Sequence, residues 1–308
     1  MKLEELFEGG TLKRQKRKQN VFYSICISFA LLLLTLVLIA CVEVISTISG
    51  MINSGKDEDL KADIGSTTTI NIVDTKLHTG SLLILNEDNP YVGSKPKLFN
   101  IQARTDRPKI RNGKDNAYTV LRSKQNSFMA TDAAASAFNK MIGAFYQATK
   151  DDNLIVSNAY DQSKTSTQNP VFSTGEAFEL QYFHDYETVG ASDPRSIANV
   201  ELYSWIYENA YKYGFVTAGG SSSNVFRYVG VVHSTAMFKN EVNFDSYHEM
   251  LKSSTSPANP LAVKSGSTIY AIYFLKEEEK HIVPLNYSYE ISGNNVDGYI
   301  ITVDLTKA

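Results

Sequence analysis

An uncharged run near the N-terminus, residues 19–42, constrains this chain more than any other feature. Its centre, SFALLLLTLVLIA, is almost purely aliphatic. The run is long enough to cross the ~30 Å hydrocarbon layer of a bilayer as a helix. The preceding sequence, LKRQKRK, is basic, and by the positive-inside rule such a flank stays in the cytosol. The sequence therefore predicts a cytosolic segment over 1–19, a transmembrane helix over 20–42, and an extracytoplasmic location for everything that follows.

Two other interpretations of this run involve cleavage. A secretory signal peptide has a shorter apolar stretch, of about 7–15 residues. The tetrapeptide LIAC resembles a bacterial lipoprotein cleavage site, which would leave Cys41 as a lipidated N-terminus. Because such a leader would be unusually long and begins with the acidic MKLEELFE, we favour an uncleaved anchor. Either route places the same domain on the same side of the membrane.

Cysteines and charge limit what the external part can do. The two cysteines, Cys26 and Cys41, both lie in the apolar run, so the external part has neither a disulfide nor a Cys-ligated metal. The chain has 30 basic and 33 acidic residues; six of the basic and three of the acidic ones lie before residue 20, which leaves 24 basic against 30 acidic residues in the rest of the chain. The exterior is therefore acidic, which argues against a nucleic-acid partner.

Local patterns predict a stalk followed by alternating helices and strands. Residues 43–68 are rich in Ser, Gly and charged residues and predict a juxtamembrane stalk. The runs TTINIV and SLLILN predict strands. Thr131, followed by apolar residues at helical spacing, predicts a capped helix, and NLIVSNAY predicts a buried strand. A second helix is predicted to begin at the Asp-Pro pair 193–194 and to end at Gly214.

The C-terminal part predicts one more helix and several strands. VFRYVGVV predicts a strand, and Ser246 with Glu249 predicts the capping box of a short helix, SYHEMLK. After a break at SSTSPANP, three runs predict strands: TIYAIYFL, HIVPLNYSYEI and GYIITVDL. The outline is an α+β domain over 69–252, then a linker and a small C-terminal β appendage over 253–308. The appendage either offers an open edge to a protein partner or completes the domain's own sheet.

Six segments follow one another along the predicted domain, and both their sequences and their order are informative: SLLILN, AFNKMIGAFYQA, IVSNAYDQS, STGEAFEL, WIYENAYKYGF and FRYVGVVH. In this order they resemble D-alanyl-D-alanine carboxypeptidases of the VanY type. Those are zinc enzymes that remove the terminal D-alanine from peptidoglycan stem peptides. The resemblance implies an antiparallel sheet packed with helices.

The resemblance also implies that the metal-binding positions have been replaced. The family's motif H-x-T-G-x-A-x-D places its histidine on Phe172 and its aspartate on Glu179, while the last ligand histidine falls on Val225. A catalytic zinc needs three protein ligands and an open position for water. Phe172 and Val225 have no lone pair to donate, and Glu179 reaches one methylene further than aspartate. We therefore expect no zinc and no other cofactor.

The positions for the base and for the substrate differ as well. The family's general-base glutamate falls on Ser222, whose hydroxyl does not accept a proton at a useful rate. The arginine that holds the peptide carboxylate falls on Asp161, which reverses the charge, and a second arginine falls on Ala218. The resemblance thus implies that no catalytic residue remains at these positions.

Three functions remain open. The first is a membrane-anchored inactive relative that binds a protein partner, as a scaffold or regulator in the envelope of a Gram-positive-like bacterium. The second is an active zinc peptidase with altered ligands, such as Glu179 with His184. The third is a non-catalytic module that contacts peptidoglycan peptides. We nevertheless expect all five histidines to be surface or hydrogen-bonded residues rather than metal ligands: His78, His184, His233, His248 and His281.

Overall fold

A computed structural model describes residues 60–100, 128–151, 153–160, 170–184, 187–189, 196–219 and 223–306. Within these ranges no helix is both long enough and apolar enough to cross a bilayer. The predicted cytosolic segment, the predicted transmembrane helix and most of the predicted stalk lie outside them. So do two of the predicted site positions, Asp161 and Ser222.

A five-stranded antiparallel sheet forms the centre of the first half of the described chain. Four strands follow one another in the order β4 (Leu154–Asn158), β5 (Ala177–His184), β8 (Val225–Tyr228) and β7 (Phe215–Thr217). The fifth strand, β6 (Glu187–Val189), pairs with β5. The prediction of an antiparallel sheet is confirmed.

Two helices cover one face of this sheet. The first, α1 (Asp132–Thr149), begins where predicted, because the Oγ1 of Thr131 accepts a hydrogen bond from the amide of Ala134 at 3.4 Å. The second, α2 (Glu201–Asn209), continues as a 3-10 turn that Gly214 ends with a φ of 88°.

Aromatic rings fill the space between these helices and the sheet. Phe138 of α1 stacks on Phe178 of β5, with ring centroids 4.4 Å apart. Because Phe178 and its alternate neighbours on β5 point into this core, Ala177 and Glu179 lie on the other face of the sheet. That other face is where the predicted site residues come together.

A second antiparallel sheet forms the C-terminal part. Its order is β12 (Ser288–Gly293), β13 (Gly298–Asp304), β10 (Thr268–Lys276) and β9 (Leu261–Ser265). The predicted runs TIYAIYFL and GYIITVDL form β10 and β13, but HIVPLNYSYEI, predicted as one strand, is divided in two, and only its second part, β12, belongs to this sheet. The sheet is separate from the five-stranded sheet, and its strand β9 was not predicted.

Both faces of the C-terminal sheet are covered. On one face pack α3 (Val231–Lys239) and α4 (Phe244–Ser254). On the other face pack Ile64, Ile72 and Leu77 from the start of the described chain. The tail was predicted to be a small appendage; with two buried faces it is instead an integral layer of the fold.

Two pairs of short strands complete the architecture. Near the start of the described chain, β1 (Thr67–Ile70) pairs with β11 (His281–Pro284). The other pair is β2 (Phe99–Asn100) with β3 (Met129–Ala130). With Ile64 only 3% exposed and β1 beginning at Thr67, ordered structure starts before the predicted domain boundary at residue 69.

Three local predictions are corrected by the structure. The run SLLILN is not a strand: it begins as a turn, and its Leu82 and Leu83 are buried by the rest of the fold rather than paired in a sheet. The run VFRYVGVV is divided at Gly230, which has a φ of 84°, so its first half is β8 and its second half opens α3. The cap of α4 is Asn243 rather than Ser246.

Candidate functional site

An apolar cluster occupies the face of the five-stranded sheet opposite α1 and α2. It consists of Val171, Phe172, Ala177 and Val225, with Ala218 packed against them. Phe172 lies in the 3-10 helix that precedes β5 and is only 2% exposed. Three of the predicted site positions, Phe172, Ala218 and Val225, are thus brought together, although they are widely separated in the sequence.

The fourth described position, Glu179, lies beside this cluster because of strand pairing. Glu179 of β5 is directly opposite Val225 of β8 in the antiparallel register. Its Oε1 accepts hydrogen bonds from the Nδ2 of Asn224 at 3.3 Å and the Nε2 of Gln181 at 3.4 Å. The amide of Ala218 donates to the carbonyl oxygen of Val225 at 2.8 Å, which holds the end of β7 against β8.

The histidines do not rebuild a metal site within the part of the chain that the structure describes. The four whose side chains are described are each hydrogen-bonded to other groups of the fold: His78, His233, His248 and His281. Hydrogen bonding of these four rings is what the sequence led us to expect. For His184, only the backbone position, at the end of β5, is described.

The side chains gathered here do not fit a catalytic zinc ion. Such an ion takes three nitrogen, sulfur or oxygen ligands and keeps one position open. The cluster offers one carboxylate, that of Glu179, among methyl groups and a phenyl ring. Nowhere in the described ranges do three His, Cys, Asp or Glu side chains lie close enough together to hold a metal.

Arg227 was not predicted from the sequence, yet it borders the cluster. It lies two residues after Val225 on β8 and is 3% exposed. Its guanidinium donates to the carbonyl oxygens of Leu83 at 2.7 Å and Ser81 at 2.9 Å, and it lies 4.5 Å from the ring centroid of Phe244. Burial lowers the pKa of Arg227 to about 10, although Glu176 and Asp245 oppose this effect. Arg227 therefore fixes the irregular SLLILN segment to the sheet. A lone arginine in an apolar run, FRYV, was the signal for such a role.

A cavity of about 420 Å³ adjoins the apolar cluster. Val171 and Ala218 form its apolar side, and Arg227, Asn243 and Asp245 form its polar side. Its volume is within the range of small-molecule sites. A small pocket thus lies open beside the packed apolar cluster.

Comparisons with known proteins agree with the resemblance seen in the sequence. A D-alanyl-D-alanine carboxypeptidase of Enterococcus faecium is 26% identical over 267 residues, which cover 82% of each chain. This chain is homologous to that carboxypeptidase. No protein-family model matches the sequence.

Comparison with solved structures shows which known fold this chain resembles. The vancomycin-resistance D,D-dipeptidase VanXYg, in complex with a D-Ala-D-Ala phosphinate analog, superposes with a TM-score of 0.58 at 17% identity. The match covers 78% of this chain and 100% of that one. VanYB in complex with D-alanine-D-alanine gives a TM-score of 0.35 at 14% identity, over 55% of this chain and 97% of that one. The chain has a mixed α/β fold with antiparallel sheets, similar to that of VanXYg.

Proposed function

We propose that this chain is a catalytically inactive relative of the D,D-carboxypeptidases that acts by binding in the bacterial cell envelope. The main support is the apolar cluster. Where the resemblance expects two imidazoles, Phe172 and Val225 pack against Val171 and Ala177. Burying a side chain such as Phe172 stabilises the fold by about 1.5–3 kcal/mol, so the old metal position now serves as core.

The proposal includes a membrane anchor and a protein partner. Residues 20–42 would hold the chain in the membrane, with residues 43–308 outside the cell. The resemblance places Asp161 and Ala218 where the peptidases have arginines that grip a carboxylate. Loss of those arginines weakens recognition of a peptide C-terminus, so we favour a protein as the main partner, acting through scaffolding or regulation.

Contact with peptidoglycan peptides is the second candidate. VanXYg, which shares the fold, binds a D-Ala-D-Ala phosphinate analog. The cavity beside the apolar cluster retains one buried cation, Arg227, which could attract an anionic ligand. The guanidinium of Arg227 already donates to the carbonyl oxygens of Ser81 and Leu83, however. We therefore rank peptidoglycan contact second.

An active peptidase with altered ligands is the remaining alternative, with Glu179 and His184 as its proposed metal-binding pair. These positions are five apart along β5. In a regular strand, positions an odd number apart are on opposite faces of the sheet. A shared metal ion would therefore require a distortion of β5.

Metal content and activity test the inactive assignment. The full-length chain, purified in detergent, is dialysed against zinc-containing and then zinc-free buffer, and its zinc is measured by elemental analysis. We expect far less than one zinc per chain and no release of D-alanine from a pentapeptide. The matched variant carries Phe172→His, Glu179→Asp and Val225→His, and should gain zinc binding. One zinc per wild-type chain, lost in Glu179→Ala, would refute the proposal.

The anchor is tested separately. Protease added to intact protoplasts should digest the large domain and spare an N-terminal tag, since only residues 1–19 would lie inside the cell. Metabolic lipid labelling that disappears in Cys41→Ser would instead establish a cleaved lipoprotein. A protected C-terminal domain would contradict both.

A further inference from the structure

A larger cavity, which we call the acidic cleft, lies between the beginning of β5 and the C-terminal sheet. Its volume is about 850 Å³. Glu176 and Tyr228 line it from one side, and Glu290 and Asp304 from the other. None of the four described positions at the apolar cluster contributes to it. The acidic cleft is therefore a separate place on the molecule.

The charge of the acidic cleft has one sign. Three carboxylates line it, and among its described lining residues there is no lysine or arginine. The one histidine of the lining, His233, is hydrogen-bonded to the hydroxyl groups of Tyr247 at 2.9 Å and Thr302 at 3.0 Å. Burial lowers the pKa of His233 to about 3, so this ring stays neutral and adds no positive charge.

Glu176 is the distinctive residue of the acidic cleft. Its Oε2 is shielded from solvent and accepts no hydrogen bond from any residue that the structure describes. Burial raises the pKa of Glu176 to about 7, and the positive charge of Arg227 opposes that rise. A shielded polar group without a partner costs about 1–3 kcal/mol, and more when it is charged. The charge of Arg227 compensates this carboxyl group in part, but no described residue donates a hydrogen bond to its Oε2, and this missing donor points to a ligand.

Aromatic rings accompany this carboxyl group. Tyr91 and Tyr228 both line the cleft, and burial followed by the charge of Glu176 raises the pKa of each. Glu290 acts on Tyr228 in the same direction. Tyr228 thus lies within the influence of two carboxylates. Phenol rings beside carboxylates form a suitable environment for an organic cation, because the ring face and the anion both attract positive charge.

Other ligand classes fit less well. An anion would meet three carboxylates and no cationic side chain among the described lining. A metal ion would need several ligands close together, and the described carboxylates are not grouped in that way. A neutral sugar would leave the shielded charge of Glu176 without compensation.

We propose that the acidic cleft binds a primary alkylammonium group, with Glu176 accepting a charge-assisted hydrogen bond from it and Tyr228 contributing its ring. A lysine side chain and the free N-terminus of a peptide both present this group. The proposal does not depend on whether the apolar cluster is inactive, because the two places share none of the residues that carry the arguments.

Titration calorimetry on the full-length chain in detergent, at pH 8, tests the proposal. The first probe is Nα-acetyl-L-lysine amide, and its matched control is the Nε-acetylated derivative, which has no charge. The second probe is alaninamide, which presents an N-terminal amine. We expect one or both amines to bind and the acetylated control not to bind. The stronger of the two amines identifies the source of the ammonium group.

Two variants locate the site. Glu176→Gln preserves shape and removes the charge, and should weaken amine binding about tenfold or more, the effect of losing one charge-assisted hydrogen bond. Glu179→Gln, three residues away beside the apolar cluster, should leave it unchanged. Both substitutions keep the size and shape of the side chain, and circular dichroism checks the folding of the variants. Failure of both amines to bind, equal binding of the acetylated control, or an equal loss in both variants would overturn the proposal.

Discussion

The apolar cluster and the acidic cleft both draw on residues 172–179, yet their chemistry is opposite. At the cluster, positions where the resemblance expects metal ligands are apolar and packed. At the cleft, Glu176 has a shielded carboxyl oxygen with no described hydrogen-bond partner. Apolar burial at the cluster contributes to stability, about 25 cal/mol per Å², whereas a lone buried carboxyl group costs stability. The difference teaches that packing explains the cluster but not the cleft, so binding is better sought at the cleft.

The largest expected effect is loss of the fold on deletion of residues 265–308, which removes one wall of the acidic cleft. The deletion would expose Met237, Tyr247 and Leu251, which are buried against the C-terminal sheet. The lost burial exceeds the net stability of about 5–15 kcal/mol that a domain typically has. Circular dichroism and thermal melting of the truncated chain measure this. A cooperative transition near that of the full chain would restore the view of the tail as an appendage.

Next in size is Phe172→Ala at the apolar cluster. Truncating a ring that is 2% exposed should lower the free energy of unfolding by about 3–5 kcal/mol, through lost burial and a new cavity. Phe172→Leu, which keeps most of the volume, should cost less than about 1.5 kcal/mol. Urea denaturation gives both values. A neutral Phe172→Ala would mean that the ring does not serve as core, and the contrast with the cleft would fail.

Glu176→Gln should raise the free energy of unfolding instead of lowering it, and by an amount that depends on pH. The folded state keeps its proton up to about pH 7, while the unfolded chain releases it near pH 4.5. The stability due to this group is thus present below pH 4.5 and lost as the pH rises through 7. At pH 8 the variant should be more stable by about 2–3 kcal/mol, and at pH 4 it should equal the wild type. A difference that does not change with pH would exclude the carboxyl group as its cause.

The smallest effect concerns α4, the helix that joins the two regions. Phe244 borders the cavity beside the cluster, and Tyr247 bonds His233 of the cleft. The Oδ1 of Asn243 caps this helix by accepting from the amide of Ser246 at 2.8 Å. Asn243→Ala should therefore cost about 1 kcal/mol. Ser246→Ala, at an exposed side chain, should stay within about 0.5 kcal/mol in the same assay, and the reverse order would favour the capping box predicted from the sequence.

Much of the fold could be predicted because its signals are local. The cap at Thr131 and the apolar spacing after it fix α1, and alternation along TIYAIYFL fixes β10. SLLILN was misjudged because its leucines are buried by distant partners: the amide of Leu82 bonds the Oγ of Ser292, and Arg227 holds the carbonyl oxygen of Leu83. No local pattern contains such long-range contacts.

Some residues of the candidate site could likewise be predicted from the sequence, and others could not. The resemblance to the carboxypeptidases placed Phe172, Glu179, Ala218 and Val225 in one predicted site, and strand pairing brings them together in the structure. Glu176 was passed over as a variable position of the motif. Glu176 lines a cleft whose other side is formed by β12 and β13, more than a hundred residues later in the chain. The sequence alone does not show that these strands lie opposite Glu176.

The pairing of β1 with β11 has a consequence for synthesis. Thr67 pairs with Pro284, so the first described strand has no partner until the chain has been made as far as residue 284. Contacts of such sequence separation slow folding and lengthen the time during which apolar strands are exposed to aggregation. A protein that emerges N-terminus first must therefore keep β1 unpaired until β11 has emerged. We expect its biogenesis to rely on chaperones more heavily than that of a protein whose strands pair with their immediate neighbours.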